Sequence, residues 1–177
     1  MTRAAALASA ISSSIEPVSE RAPKRSKQSA GILAYRRRQG LLEVFLVHPG
    51  GPYWASKDEG VWSIPKGEYA GDEEALAAAQ REFREETGLS LSGPFMALPP
   101  VRQASGKQVL AWAVEAPDLD PAQLRSNCFT IVGTRYAGTY PEVDRAAWFT
   151  IEEAGRRLIA GQRPLLDALQ ALGAATR

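Results

Sequence analysis

After an irregular N-terminal stretch, hydrophobic residues fall into short runs separated by turn-forming residues, which is the pattern of β-strands. Two runs, AGILAY at 30–35 and LLEVFLV at 41–47, flank the segment RRRQG and predict a β-hairpin whose turn holds Arg36 to Arg38. A third short strand, at 61–65, ends in a proline and is followed by a predicted Lys-Gly turn. The chain is therefore expected to begin as a small sheet.

The periodicity becomes helical in the next segment, where apolar residues recur every three or four positions. We expect this helix to begin with a cap at Asp72 or a neighbour. It should end before Gly88, which stands where a left-handed C-terminal cap is expected. Leu76, Ala79 and Phe83 form an apolar stripe that would anchor the helix on a sheet.

The rest of the chain repeats the strand pattern and ends in a helix. Segments 95–103 and 107–115 predict a second hairpin, and 145–150 predicts a further strand. The segment 151–172 predicts a C-terminal helix that breaks and restarts at Pro164. Strands, one inserted helix, more strands and a final helix together predict an α+β sandwich.

Length and composition indicate one domain with a tail. The chain has 177 residues, and its first 28 hold Ala and Ser repeats followed by a polar, charged run. We expect residues 1–28 to be a disordered tail and residues 29–173 to form the domain. A signal peptide and a transit peptide fit less well, because the tail lacks a strong apolar region and carries Glu16 and Glu20.

Charge and cysteine content exclude several classes of function. Lys and Arg number 21 against 20 Asp and Glu, so no net charge draws the chain to nucleic acid or membrane. No apolar run approaches the ~18 residues that a membrane span needs. Cys128 is the only cysteine, which excludes an intrachain disulfide and fits a reducing, cytoplasmic compartment. His48, the only histidine, is expected to serve loop packing or a backbone hydrogen bond.

Three carboxylates stand out in the predicted helix. Glu82, Glu85 and Glu86 lie at i, i+3 and i+4 and therefore share one helical face. Like charges this close repel each other, so a solvated helix gains nothing from the arrangement. A hard divalent cation such as Mg²⁺ or Mn²⁺ would turn the repulsion into attraction. A bare cluster of this kind also suits an acid-rich surface helix, and its neighbours decide between the two.

The spacing of those neighbours favours the metal. Gly67 is followed after five residues by Glu73, after seven more by Arg81-Glu82-Phe83, and then by Glu85-Glu86 and Gly88-Leu89. This matches without a departure the Nudix box GX5EX7REUXEEXGU, where U is a bulky apolar residue, and the chain resembles the Nudix hydrolase family. The resemblance implies an α/β/α sandwich with a mixed sheet between the box helix and a C-terminal helix. It also implies metal-dependent cleavage of a pyrophosphate bond in a nucleoside diphosphate linked to another group.

The resemblance assigns roles within the box. Arg81 would orient Glu82, and the backbone carbonyl of Lys66, beside Gly67, would complete the metal shell. The implied carboxylate ligands of Mg²⁺ or Mn²⁺ are Glu82, Glu85 and Glu86.

The general base would be one of these carboxylates or an acid outside the box. The loop before the strand at 145–150 offers two such acids, Glu142 as the first choice and Asp144 as the second. Either could instead pair with a nearby arginine, Arg135 or Arg145.

Substrate contacts are expected outside the box. Its Pro-Lys-Gly entrance is similar to that of Nudix enzymes acting on dinucleoside polyphosphates, which makes these the first expected substrates. ADP-ribose, NADH, nucleoside triphosphates and RNA 5′ ends follow, whereas longer nucleic acid is not expected as a partner. A non-catalytic nucleotide-binding regulator is disfavoured, because every box carboxylate is kept. The cations expected to meet phosphates and the loop aromatics expected to stack on a base are Lys66, Arg102, Lys107, Tyr53, Trp54 and Tyr140.

Overall fold

The structure is a computed structural model that describes residues 28–175. The expected tail at 1–28 therefore lies outside the described residues, apart from Gln28, which begins the first strand. No helix in the described part is long and apolar enough to cross a membrane.

The first hairpin is confirmed, but its turn is not where the sequence placed it. Strands β1 (Gln28–Arg38) and β2 (Leu41–Pro49) are joined by two residues, Gln39 and Gly40, which have φ angles of 52° and 79°. Two positive φ angles in a two-residue loop are typical of a tight hairpin turn. Arg36 to Arg38 lie in β1 instead, so the predicted arginine turn is wrong. Arg36 explains why, because its Nε donates to Glu43 Oε2 at 2.6 Å on the neighbouring strand.

Within the described residues, the strands after β2 are β3 Lys66–Glu68, β4 Met96–Arg102, β5 Gln108–Glu115, β6 Cys128–Ile131, β7 Gly138–Pro141 and β8 Val143–Thr150. Six of these eight strands form the main sheet, in which β1 and β5 are parallel and the other paired strands antiparallel. Its order is β4-β5-β1-β2-β8, with β3 paired to β1. The second predicted hairpin corresponds to β4 and β5, which are antiparallel. A separate pair of strands, β6 and β7, was not predicted, because its segment lacks the apolar alternation of the other strands.

Helices cover both faces of this sheet, which confirms the α/β/α sandwich. Helix α1 (Ala75–Thr87) buries Ala78, Ala79 and Phe83 against one face. On the other face pack α2 (Ile151–Arg157) and α3 (Pro164–Ala175). The chain leaves the helix already at residue 158, before the break expected at Pro164, and a short 3₁₀ turn at Ala160–Gln162 precedes α3. Pro164 opens α3, as the sequence predicted.

The entrance to the acidic helix lies where β1 and β2 separate. β2 pairs with the end of β1, whereas β3 pairs with its beginning through Gly31 and Lys66. The predicted strand at 61–65 is reduced to isolated bridges, and the predicted turn at Lys66-Gly67 is strand β3. Gly31 permits this approach, because a Cβ there would lie 2.6 Å from Lys66 Cβ and 2.7 Å from the Pro65 carbonyl oxygen.

Candidate metal and substrate site

Local capping fixes where α1 begins and ends. The N-cap is Glu74, a neighbour of Asp72, and its side chain accepts a hydrogen bond from the Ala77 amide at 2.8 Å. Gly88 closes the helix with φ 73°, and its amide donates to the Arg84 carbonyl at 2.7 Å, as predicted. Between these ends, Glu82 and Glu86 contact strand β3.

Gly67 forms a close seat for the Glu82 carboxylate. A Cβ at this position would lie 1.9 Å from Glu82 Oε2, closer than any real side chain could come. Glu82 is only 15% exposed, so its carboxylate rests against the backbone of β3. A glycine is therefore required at position 67 because Glu82 packs against it, and not because the chain turns there.

Arg81 joins three acids through one guanidinium. Its Nε and Nη2 donate to the two Glu73 oxygens at 2.9 and 3.0 Å, a bidentate pair. Its Nη1 donates to Glu82 Oε1 at 2.7 Å and to Glu85 Oε2 at 3.2 Å. The hydrogen bonds with Glu73 and Glu82 raise the pKa of Arg81, and that with Arg81 lowers the pKa of Glu73. The hydrogen bond from Nη1 to Glu82 is the one through which Arg81 would orient that carboxylate.

Glu86 is the most perturbed acid of the helix. The Lys66 amide donates to its Oε2 at 3.0 Å. Burial raises the pKa of Glu86 to about 7, against the charge and the amide of Lys66, while the negative charges of Glu82 and Glu142 raise it further. Glu142, far away in sequence, is therefore close enough to act electrostatically on this acid.

The two acids outside the box have different surroundings. Glu142 is exposed, and its backbone is held on both sides, since its amide donates to Asn127 and its carbonyl accepts from Gly50. Asp144 lies 2.7 Å from His48 Nδ1 and is also close to Arg145. The structure thus brings Glu142 to the acids of α1 and engages Asp144 elsewhere.

His48 has the structural surroundings that its sequence position predicted. It is fully buried, and its Nε2 lies 2.8 Å from the Lys57 carbonyl oxygen, the expected backbone contact. Together with Asp144, the histidine ties the loop after β2 to strand β8.

The acids provide the chemistry of a cation site without forming a closed one. Within residues 28–175 no three His, Cys, Asp or Glu side chains converge tightly enough to hold a metal ion as they stand. Arg81 is the reason on the helix, because it holds Glu82 and Glu85 on its guanidinium. The donors are all oxygen, and the raised pKa of the partly buried Glu86 indicates that its charge lacks full compensation. This set fits a hard divalent cation, which Glu82, Glu85 and Glu86 would hold.

Aromatic side chains gather beside Glu142, on the loop after β2 and on the β6–β7 pair. Tyr53, half exposed, packs edge-on against Tyr136 with ring centroids 5.0 Å apart. Trp54 is 39% exposed and carries Lys57 Nζ 4.7 Å from its ring centroid. Tyr140 packs near a further ring, that of Phe129, at 6.1 Å.

Of these five aromatic rings, sequence reasoning missed two, Phe129 and Tyr136. The clustering of aromatic residues in the segment 128–141 was the available signal.

The three predicted phosphate contacts also differ. Lys66 is close enough for its charge to act on Glu86. Lys107 Nζ is paired with Glu68 at 2.7 Å, and Arg102 donates to the carbonyl of its own hairpin turn at 3.1 Å. Of these three side chains, Lys66 is therefore the one whose charge acts on an acid of α1.

Comparison with known proteins places this arrangement in context. The NUDIX domain profile matches residues 25–169. No curated protein matches the sequence.

Solved structures share the fold. A C. elegans Ap4A hydrolase in a binary complex superposes with a TM-score of 0.62 at 22% identity, covering 84% of this chain and 98% of that one. The NUDIX domain of Shewanella oneidensis NrtR complexed with ADP ribose gives 0.53 at 15% identity, covering 86% and 88%. The E. coli ORF135 protein gives 0.52 at 28% identity, covering 84% and 93%.

Proposed function

The chain belongs to the NUDIX domain family and is a hydrolase of the Nudix class, and on this premise we propose that it cleaves the pyrophosphate linkage of dinucleoside polyphosphates with Mg²⁺ or Mn²⁺. One observation carries the proposal. Glu82 is seated on Gly67 beside the partly buried Glu86, and the charge of Glu142 acts on Glu86. Excess negative charge at this point is what a divalent cation would neutralise, together with the charge of a bound phosphate chain.

The residues have distinct tasks in this proposal. A cation held by Glu82, Glu85 and Glu86 would neutralise phosphate oxygens and acidify a bound water. Arg81 keeps the Glu82 carboxylate in place through Nη1. The exposed carboxylate of Glu142 takes the proton from the water that attacks phosphorus.

The substrate assignment draws on residues around the box. The Pro-Lys-Gly entrance supports a polyphosphate, because Lys66 can meet a phosphate oxygen as a point charge. The exposed rings of Tyr53 and Trp54, with Tyr140 nearby, offer faces on which a base can stack. The shared fold of an Ap4A hydrolase is consistent with this substrate class.

ADP-ribose is the second candidate. A structural neighbour binds it, and it also joins a nucleoside diphosphate to another group. NADH, nucleoside triphosphates and RNA 5′ ends rank after it. A cytoplasmic location is part of the proposal, since an exposed free thiol at Cys128 suits a reducing compartment.

Turnover assays test the proposal. The purified chain is incubated with diadenosine tetraphosphate, ADP-ribose, NADH and nucleoside triphosphates, with Mg²⁺, with Mn²⁺ and with chelator, and the products are separated by chromatography. We expect metal-dependent cleavage, fastest for diadenosine tetraphosphate. Glu85→Gln should remove most activity, whereas Glu152→Gln, an 85% exposed acid on α2, should not. The absence of metal-dependent turnover on all four substrates would refute the proposal, and a faster rate on ADP-ribose would reverse the substrate order.

A further inference from the structure

A short segment, Arg125–Asn127, connects the end of α1 to the residues around Glu142. We call it the strap. The Arg125 amide donates to the Thr87 carbonyl at 2.8 Å, and the Asn127 amide donates to the Glu85 carbonyl at 3.3 Å. The carbonyl of Asn127 then accepts from the Glu142 amide at 2.7 Å. One residue therefore links the backbone of a box acid to the backbone of the acid outside the box.

Ser126 completes this link with its side chain. Its Oγ accepts from the Val143 amide at 3.0 Å and donates to the Asn127 carbonyl at 3.1 Å. The strap therefore accepts hydrogen bonds from two successive backbone amides, that of Glu142 and that of Val143. Because Val143 is buried, removing the hydroxyl would leave the Val143 amide without a hydrogen-bond partner.

The box itself makes room for the strap. A Cβ on Gly88 would lie 2.6 Å from Arg125 Cβ and 2.8 Å from the Arg125 carbonyl oxygen. The glycine that caps α1 is also the point over which the strap passes. The strap is therefore seated on the end of the helix, and a shift of either one moves the other.

We propose that Ser126 is a positioning residue that sets the place of the Glu142 carboxylate relative to the acids of α1. This inference rests on the proposed function, because it gives Ser126 a task only if Glu142 acts in the reaction. Small displacements of a reacting group are costly, since ~1 Å of misplacement lowers a rate by about a hundredfold. Loss of one hydrogen bond in the strap should displace Glu142 by less and cost about tenfold.

The experiment compares Ser126→Ala with Ser126→Thr, which keeps the hydroxyl. We expect the alanine variant to lose about tenfold in kcat on diadenosine tetraphosphate with little change in KM, and the threonine variant to recover most of the rate. Ser105→Ala, on the exposed β4–β5 turn, is the matched control and should leave both constants unchanged. Equal rates for wild type and Ser126→Ala would overturn the inference.

A double-mutant cycle separates positioning from simple stabilisation. In a Glu142→Gln background, Ser126→Ala should cost less than about twofold, because the group it positions is already gone. A full tenfold loss in that background would show that Ser126 acts by another route and would overturn the inference. Urea unfolding of each variant verifies that the folded form is measured. Ser126→Cys, whose thiol is a weak acceptor, replaces the alanine variant if that one does not fold.

The proposed function and this inference fail in different ways. If the wild-type chain turns over none of the substrates, the proposed function fails. The inference then falls with it, because Glu142 has no reaction in which to be positioned. If the wild type is active and the two substitutions are additive, only the inference about Ser126 fails.

Discussion

Replacing Glu86 by Gln should make the metal-free protein more stable at neutral and alkaline pH. Burial raises the pKa of Glu86 from an ordinary 4.5 to about 7, so the folded protein resists ionising this group. Glutamine has nearly the same shape, carries no charge and keeps an oxygen for the bond from the Lys66 amide, now at 3.0 Å. The substitution therefore removes a cost while preserving the contact.

The size of the effect follows from the two pKa values. The folded form holds the Glu86 proton more tightly than the unfolded form, so the free energy of unfolding falls as pH rises from about 4.5 and levels off above about 7. At ~1.36 kcal/mol per pKa unit, the full cost above pH 8 is about 3 kcal/mol. Because Glu86 keeps some contact with water, we expect Gln to recover about 2 kcal/mol of it. At pH 5 the two proteins should differ by less than about 1 kcal/mol.

The difference in the free energy of unfolding is measured by urea unfolding in the presence of chelator, at pH 5 and at pH 8, with tryptophan fluorescence as the signal. Glu152→Gln serves as the control, since this acid is exposed and pairs with Arg156 on the helix surface. Saturating Mg²⁺ should reverse the order at pH 8, because the wild type gains a ligand that the variant lacks. If Glu86→Gln is less stable than the wild type in chelator at pH 8, or if their difference does not change with pH, the electrostatic reasoning is wrong.

Four further substitutions address the site. Gly67→Ala should lower activity by at least about a hundredfold, because the added Cβ would displace the Glu82 carboxylate. The loss is measured as kcat with saturating Mn²⁺, and near wild-type turnover would contradict the close packing of Glu82 on Gly67. Arg81→Lys should lower kcat by about a hundredfold, because an ammonium cannot keep the bidentate pair and the bond to Glu82 together, and a loss confined to KM would argue against orientation. Glu142→Gln should slow turnover by at least about a hundredfold, and Asp144→Asn much less; the reverse order in steady-state assays would move the proton-accepting role to Asp144.

The parts of the site that are local in sequence could be predicted. The common face of Glu82, Glu85 and Glu86 follows from helical periodicity alone, and Gly88 has the conformation that a helix end requires. The hairpins also follow from apolar patterning. These features depend on neighbours a few residues apart, which a single sequence displays.

The errors lie where distant residues decide. Lys66-Gly67 resembles a turn, but the glycine is required because Glu82 packs against it. The arginines after position 35 resemble a loop, but Arg36 pairs across the hairpin with Glu43. The contacts of Ser126 are made with a strand end many residues away, so no local pattern announces them.

The bidentate pair between Arg81 and Glu73 has a consequence for the metal-free protein. One guanidinium serves as an internal counter-ion for acids that would otherwise repel each other. If a cation drew Glu85 away, Arg81 would still have its two bonds to Glu73 and its bond to Glu82. Removing the metal should therefore abolish activity without unfolding the protein, and activity should return when the ion is added back.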